Sequence, residues 1–313
     1  TTHAGPELGN AVSETLVGSN NPAGRCPITW YRTAQDLPDI MEYDIIDAKR
    51  TYLYDTVQPL YPFGHGLSYA AFAYHDLEII CHKEGLLVHF DLENTSDRDG
   101  DEVVQLYFHS QKSRVIRPEK QLCGFQRVPV PAGSSQRVSV FVPWYALEFY
   151  DVTREKMTVE QGVYDIYVGA SSQDIRLTGT VEVPGEEIPL RDLTFPLLAK
   201  NYDAKYGMET RLQFSWRQND WYGCTCEWGG GFIYEKAAFH GYQKAEIWAA
   251  APCNRATISL YAGDVLLGSV SVAPSRSCED FHGYAVALAP FEGAADLRLQ
   301  VDGMACVYRV QFG

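Results

Sequence analysis

Leu86-Leu-Val-His-Phe-Asp-Leu92 and Glu102-Val-Val-Gln-Leu-Tyr-Phe108 decide the fold class. Both are short runs rich in β-branched and aromatic residues, with partial two-residue alternation, the pattern of strands that bury one face. Arg137 to Val142 and Tyr164 to Val168 repeat the texture, with Tyr164, Ile166 and Val168 on one face. Turn signals separate the runs: Asn94-Thr-Ser-Asp97, Asp99-Gly100, Pro131-Ala-Gly133 and Gln161-Gly162. Strands of this length and spacing predict an antiparallel sandwich over 71–185. Val183-Pro-Gly-Glu-Glu-Ile-Pro189 then reads as a linker.

Toward the C-terminus, residues 186–313 are again β-like. Ala256 to Tyr261, Asp296 to Val301 and Val307 to Phe312 alternate, and Gly229-Gly-Gly231 and Ala262-Gly-Asp264 mark turns. A jelly-roll β-sandwich is expected. Toward the N-terminus, residues 5–18 predict one short helix. Pro6 and Glu7 suit its first turn, Leu8, Ala11, Val12 and Leu16 share a face, and Gly18 suits the left-handed position past its end. Such a helix needs a partner to cover its apolar face. Residues 20–69 have little periodicity beyond a short strand at Ile28–Tyr31, and their aromatics suggest a segment draped over another surface. Residues 1–70 are therefore expected to be the tail of an α/β sandwich domain whose body lies upstream, plus an extended linker. The fold class is mainly β.

The 313 residues favour about two domains. A formal net charge of −14 argues against generic nucleic-acid binding and against anionic membranes, and no apolar stretch is long enough to span a bilayer. Eight cysteines are scattered, apart from Cys224-Thr-Cys226, and their spacing suits neither a disulfide framework nor zinc. Reduced, mostly buried thiols are expected, and with no signal peptide at the start they favour a cytoplasmic location. No metal or cofactor is expected.

No catalytic residue is expected within the chain either. Gly66-Leu-Ser-Tyr-Ala70 falls one glycine short of a nucleophile elbow. His65 sits between glycines in a loop and suits a backbone hydrogen bond better than general-base work. Asp36, Asp39, Glu42 and Asp44 read as a solvated or interface-lining acidic run. The plausible ligand site is aromatic, because sugar C–H edges stack on ring faces while polar neighbours fix the hydroxyls. Trp216, Trp221, Trp228, Phe232, Tyr234, Phe239 and Tyr242 are the wider set. Trp228, Phe232, Tyr234, Phe239 and Tyr242 are the candidate carbohydrate-binding residues.

Asn21-Pro-Ala-Gly-Arg-Cys-Pro-Ile-Thr-Trp30 and Tyr61-Pro-Phe-Gly-His-Gly-Leu-Ser-Tyr69 resemble glycoside hydrolase family 3. The first looks like the close of that family's second catalytic-region domain, and the second like its entry into a fibronectin type III-like domain. The likeness continues through Asn94-Thr95, Glu102 to Tyr107, Arg117-Pro-Glu-Lys120, Gly124-Phe125 and Gly169-Ala-Ser-Ser172, and covers roughly 1–185. It looks most like bacterial β-glucosidases and β-xylosidases, and it implies that the catalytic Asp and Glu lie before residue 1.

The final domain more weakly resembles family 6 carbohydrate-binding modules, in Asn201 to Ala204, Gly231 to Tyr234, Phe239 to Tyr242 and Val307 to Phe312. Leu198 and Lys200 stand where that family carries acidic calcium ligands, which argues against calcium. Cys306 stands where it places a sugar-binding Asn. The expected function is thus a non-catalytic C-terminal portion that braces a family 3 catalytic region, with upstream domains of the same enzyme or a companion chain as partner. Glycans and a second copy of the chain are further partners to consider. The alternatives are a free-standing carbohydrate-binding protein and a structural interaction module.

Overall fold

The computed structural model describes residues 5–40, 42, 44–207 and 210–313. The chain separates into two units, Thr1–Tyr150 with Met157–Glu187, and Asp151–Lys156 with Ile188–Gly313. The expected N-terminal tail and middle sandwich thus fall in one unit.

The first unit carries helices α1 (Leu8–Val17) and α2 (Thr51–Tyr54). Its strands are β1 (Phe72–His82), β2 (Gly85–Asn94), β3 (Gly100–Ser110), β4 (Gln121–Val130), β5 (Ser135–Pro143), β6 (Phe149–Asp151), β7 (Lys156–Thr158), β8 (Gly162–Gly169) and β9 (Ile175–Val183). A three-stranded sheet, β1-β2-β5, and a four-stranded sheet, β4-β3-β8-β9, are each antiparallel, while β6 and β7 pair only with each other. Alternate residues fill one core: Leu86, Val88, Phe90 and Leu92 from β2, with Val104, Leu106, Phe108, Ile166 and Val168 from the other sheet. Asn94, at the end of β2, is a buried polar residue. Its amide donates to the carbonyls of Arg98 (2.8 Å) and Val130 (2.9 Å), and its Oδ1 accepts from Ser96 N and Oγ.

β3 is covered on both faces, which explains why its sequence is nearly continuous in apolar residues. Gln105 and Tyr107 point away from the sandwich core yet are closed to solvent. Their cover is the irregular segment that precedes β1. Tyr52 stacks on Phe63 at 4.1 Å and meets Tyr107 edge-on at 6.2 Å. Gln105 Nε2 donates to the carbonyls of Gly64 (3.1 Å) and Ala170 (2.6 Å), and Tyr107 OH donates to Gln105 Oε1 (2.6 Å). Gly64 has φ 82°, and a Cβ there would collide with Gln105 Oε1.

The same segment is knitted to itself and to the sandwich. Cys26 N donates to His65 O and Gly64 N to Cys26 O, both at 2.8 Å. Asn21 Nδ2 donates to Asp99 O (3.1 Å), and its Oδ1 accepts from Ser68 Oγ and Tyr69 N. Arg25 and Glu102 form a buried ion pair at 2.9 Å. Asn21, Arg25, Tyr52 and Gly64 thus lay this segment over the sandwich of their own unit. The strand expected at Ile28–Tyr31 reduces to a single bridge between Trp30 and Tyr61. The expected helix forms as α1 and ends on Gly18 at φ 77°.

The second unit contains β10 (Arg191–Asp192), β11 (Leu197–Leu198), β12 (Ala204–Tyr206), β13 (Arg211–Ser215), β14 (Asp220–Cys224), β15 (Gly230–His240), β16 (Lys244–Ala250), β17 (Ala256–Ala262), β18 (Val265–Val272), β19 (His282–Ala287), β20 (Glu292–Asp302) and β21 (Cys306–Phe312). They form two six-stranded sheets, β10-β15-β20-β17-β18 with β12 on β15, and β13-β14-β21-β16-β19 with β11 on β21. Ile247, Ile258, Leu260, Leu297, Leu299, Val307 and Val310 lie in a common core. On the other face of the second sheet, Tyr222, Cys224, Ala250 and Cys306 form a small cluster with Phe281 and Tyr308.

Within that cluster Cys224 and Cys306 are disulfide-bonded. The expectation of reduced thiols is corrected for this pair; the other six cysteines are half-buried or exposed rather than mostly buried. The two residues are direct partners across β14 and β21, with Cα atoms 4.3 Å apart, a proximity that the scattered spacing concealed. Of the free thiols, Cys81 and Cys253 are exposed.

Two expectations follow. The disulfide closes a separation of 82 residues and stabilises the second unit by about 4 kcal/mol in a chain-entropy estimate. Dithiothreitol should lower that unit's melting temperature by about 10 °C and leave the first unit's transition in place; a scan unchanged after verified reduction would contradict this. Burial raises the Glu102 carboxyl above its ordinary 4.5, against the pull of Arg25. The folded state then binds more protons than the unfolded one, so this group's contribution falls as pH rises through that window. In denaturation series from pH 4 to 8, the wild type should lose stability relative to Glu102→Gln as pH rises; parallel curves would overturn the assignment.

Candidate functional site

Three of the five candidate sugar-binding aromatics lie in the core of the second unit. Phe232 is buried beside Tyr202, and its ring occupies the space where a Cβ on Gly223 would stand. Tyr234 is buried with its hydroxyl donating to Ala199 O at 3.3 Å and the Arg191 guanidinium 5.4 Å from its ring centre. Phe239 is buried between Phe291 and Phe312, at 5.3 and 6.2 Å. Tyr242 is half-buried against Phe312. Only Trp228 of that set stands in solvent, 83% exposed on the turn closed by Gly229 N donating to Cys226 O. Buried rings cannot stack on a sugar, so Phe232, Tyr234 and Phe239 are corrected from ligand candidates to core residues.

The open aromatic surface of this unit is the β13–β14 hairpin instead. Phe214 and Trp221 face each other across the pair with centroids 5.4 Å apart, and Trp216 meets Phe214 edge-on at 5.0 Å. Trp216 is 85% exposed and Trp221 46%. Sequence reasoning placed both tryptophans in the wider set and passed over Phe214, the ring that joins them. The signal was a polar turn, Arg217-Gln-Asn219, bracketed by indoles.

The hairpin is held firmly. Gln218 N donates to Ser215 Oγ (3.2 Å) and Trp221 N to Asp220 Oδ1 (2.8 Å). Lys200 pairs with Asp220 at 2.6 Å, so the cation that stands where calcium ligands were sought has a carboxylate partner. Cys306, at the position expected for a sugar-binding Asn, is tied into the disulfide at the far end of β14. Among the described residues, no group of three or more His, Cys, Asp or Glu side chains could hold a metal ion.

In the first unit the acidic run serves the backbone. Asp36 Oδ2 accepts from Thr33 N (2.9 Å) and Oγ1, Glu42 Oε1 from Asp44 N (2.9 Å), and Asp44 Oδ1 from Ile46 N (3.0 Å). Arg50 binds the carbonyls of Asp39 and Glu42. His65 stacks on Tyr61 at 5.0 Å. A cleft of about 450 Å³ lies between the Lys49–Phe63 segment and Ile116–Lys120, with Asp55 and Glu119 among cationic and aromatic walls.

α1 presents an uncovered apolar surface in this unit. Leu8, Val12 and Leu16 form an apolar stripe, none of its described residues is buried, and Leu16 is 76% exposed. Its anchors lie at its C-terminal end, where Tyr69 OH donates to Thr15 O (2.9 Å) and Arg98 Nη1 to Gly18 O (3.2 Å).

Residues 1–69 match the glycosyl hydrolase family 3 C-terminal domain, and residues 102–172 the fibronectin type III-like domain. The chain is 34% identical over 174 residues to a xylan 1,4-beta-xylosidase of Xylanibacter ruminicola, covering 55% of this chain and 20% of that protein. A beta-glucosidase of Rhizobium radiobacter is 32% identical over 204 residues, 59% of this chain and 25% of its own. Among solved structures, beta-glucosidase 3B of Thermotoga neapolitana in complex with glucose superposes with a TM-score of 0.53 at 33% identity, over 58% of this chain and 28% of that one. The chain spans a fifth to a quarter of the length of these curated relatives. The segment laid over β3 and most of the sandwich are thus similar to the C-terminal domains of glycoside hydrolase family 3 proteins.

Proposed function

We propose that this chain is the accessory C-terminal part of a β-glucosidase or β-xylosidase, and that it braces a catalytic region made of other residues. The observation that carries this is the open stripe of Leu8, Val12 and Leu16 on a helix inside the segment matching the family 3 C-terminal domain. An amphipathic helix of 10 residues gains its stability from burying that stripe. Here the natural cover is the rest of the α/β domain. The Asn21–Tyr69 segment then transmits position from that domain to the sandwich, because it is bonded to β3 rather than strung between two bodies.

Hydrolysis of a glycosidic bond usually needs two carboxyl groups flanking the bond, one of them held protonated. In this chain the acidic run Asp36, Glu42 and Asp44 is engaged with backbone amides. We place the carboxyl pair in the catalytic region, and names such as β-glucosidase and xylan β-xylosidase among the relatives point to β-linked glucosides and xylosides as substrates of the assembled enzyme.

Leu16→Glu tests the reading. The side chain is exposed, so the variant should shift the stability of the 313-residue chain by less than about 0.5 kcal/mol. Co-expressed with the family 3 catalytic region from the same source, the wild-type chain should restore hydrolysis of p-nitrophenyl β-D-glucoside or β-D-xyloside, and Leu16→Glu should not. Hydrolysis by the chain alone, or full restoration by the variant, would overturn it.

A further inference from the structure

We infer that the β13–β14 hairpin is a carbohydrate-binding platform, built from Trp216, Trp221 and Phe214, that takes a neutral glycan chain. Large aromatics placed in solvent lose the gain of burial, so two exposed indoles on one hairpin call for a ligand. The rings are not loose. Phe214 wedges between them at 5.0 and 5.4 Å with interplanar angles of 82° and 70°. This edge-to-face packing fixes the indoles while leaving ring surface open. Asn219 at φ 52°, the Ser215–Gln218 hydrogen bond and the Lys200–Asp220 pair hold the turn. The platform is therefore preorganised, which lowers the ordering cost of binding.

The chemistry of the surroundings selects the ligand. On this hairpin the large exposed hydrophobic side chains are the two tryptophans, without exposed aliphatic neighbours such as a protein-docking face would offer. Between them lie the exposed amides of Gln218 and Asn219, with Gln213 on the adjoining strand. Amides donate and accept at once, as hydroxyl groups require. The Lys200 charge is taken up by Asp220, which leaves Arg217 as the exposed cation of the turn, short of the clustered cations that an anionic ligand would need. Pyranose rings present an apolar C–H face to the indoles and hydroxyls to the amides. The choice of β-1,4-linked glucan or xylan as the glycan rests on the function proposed above; glycan binding itself stands on the hairpin alone.

The test is titration of the 313-residue chain with cellohexaose and xylohexaose, followed by tryptophan fluorescence and calorimetry. At least one glycan should bind, and Trp216→Ala and Trp221→Ala should each weaken it about tenfold. The double variant should abolish binding with its circular dichroism and disulfide intact, and Trp30→Ala, in the first unit, should leave binding unchanged. No binding of either glycan by the folded wild type overturns the proposal. So does binding that survives the double variant. A wild-type dimer that the double variant converts to monomer would assign the hairpin to a protein interface and overturn it as well. The hydrolysis-restoration assay is read separately, so loss of glycan binding with restoration intact would remove this site and leave the accessory role standing.

Discussion

The side-chain amide of Gln105 is the contact on which the first unit depends. It sits on the face of β3 that looks away from the sandwich core, where an uncovered amide would simply be solvated. Instead it donates to Gly64 O and Ala170 O and accepts from Tyr107 OH. A buried amide left unmatched is destabilising by about 1–3 kcal/mol, so these partners must all be in place together. That requirement accounts for the local sequence. Gly64 must be glycine, both for its left-handed φ and for the room Gln105 takes. Phe63 must be aromatic to stack on Tyr52, which in turn covers Tyr107.

The second unit is organised by a different constraint, the pairing of a strand with one extra residue. β15 pairs with β20 in regular register through Tyr234, slips at the bulge marked by Lys236 at φ 52°, and resumes at Ala237. The slip changes which parity points inward. Phe232 and Tyr234 before it, and Ala237 and Phe239 after it, all reach the core. With that strand filling the interior, the tryptophans most open to solvent are Trp216 on the β13–β14 hairpin and Trp228 on the Cys226–Gly229 turn.

This contrast explains what could be read from sequence. The strands of the first sandwich were legible because β2 alternates cleanly and its turns carry Asn, Asp, Gly and Pro where the chain crosses between sheets. α1 was legible down to Gly18, because capping and periodicity are local. The course of residues 20–70 was not, since its order comes from hydrogen bonds to residues 41 to 78 positions away, such as Gln105 with Gly64 and Asn21 with Asp99. The Cys224–Cys306 bond was hidden for the same reason. The aromatic site failed because the burial of Phe232 and Tyr234 is set by the packing of the two sheets, and that of Phe239 by a bulge that nothing in Glu235-Lys236 announces. Trp216 and Trp221 were visible as residues, but their exposure depends on which hairpin lies outside the core.

Function follows from how these parts differ in closure. The sandwich and its overlying segment are bonded to each other through Gln105, Asn21 and Arg25, whereas α1 carries an exposed apolar stripe. A rigid joint next to an open helix face is what a brace requires, because a flexible tether could not hold a position. The central claim is therefore that residues 21–30 and 61–69 are part of the sandwich's folded structure. Hydrogen–deuterium exchange on the 313-residue chain tests it directly. Peptides spanning Asn21–Trp30 and Tyr61–Tyr69 should exchange as slowly as β3, because Cys26, Trp30 and Gly64 donate their amides to carbonyls within the segment. Exchange of those peptides within seconds, while β3 stays protected, would contradict the account.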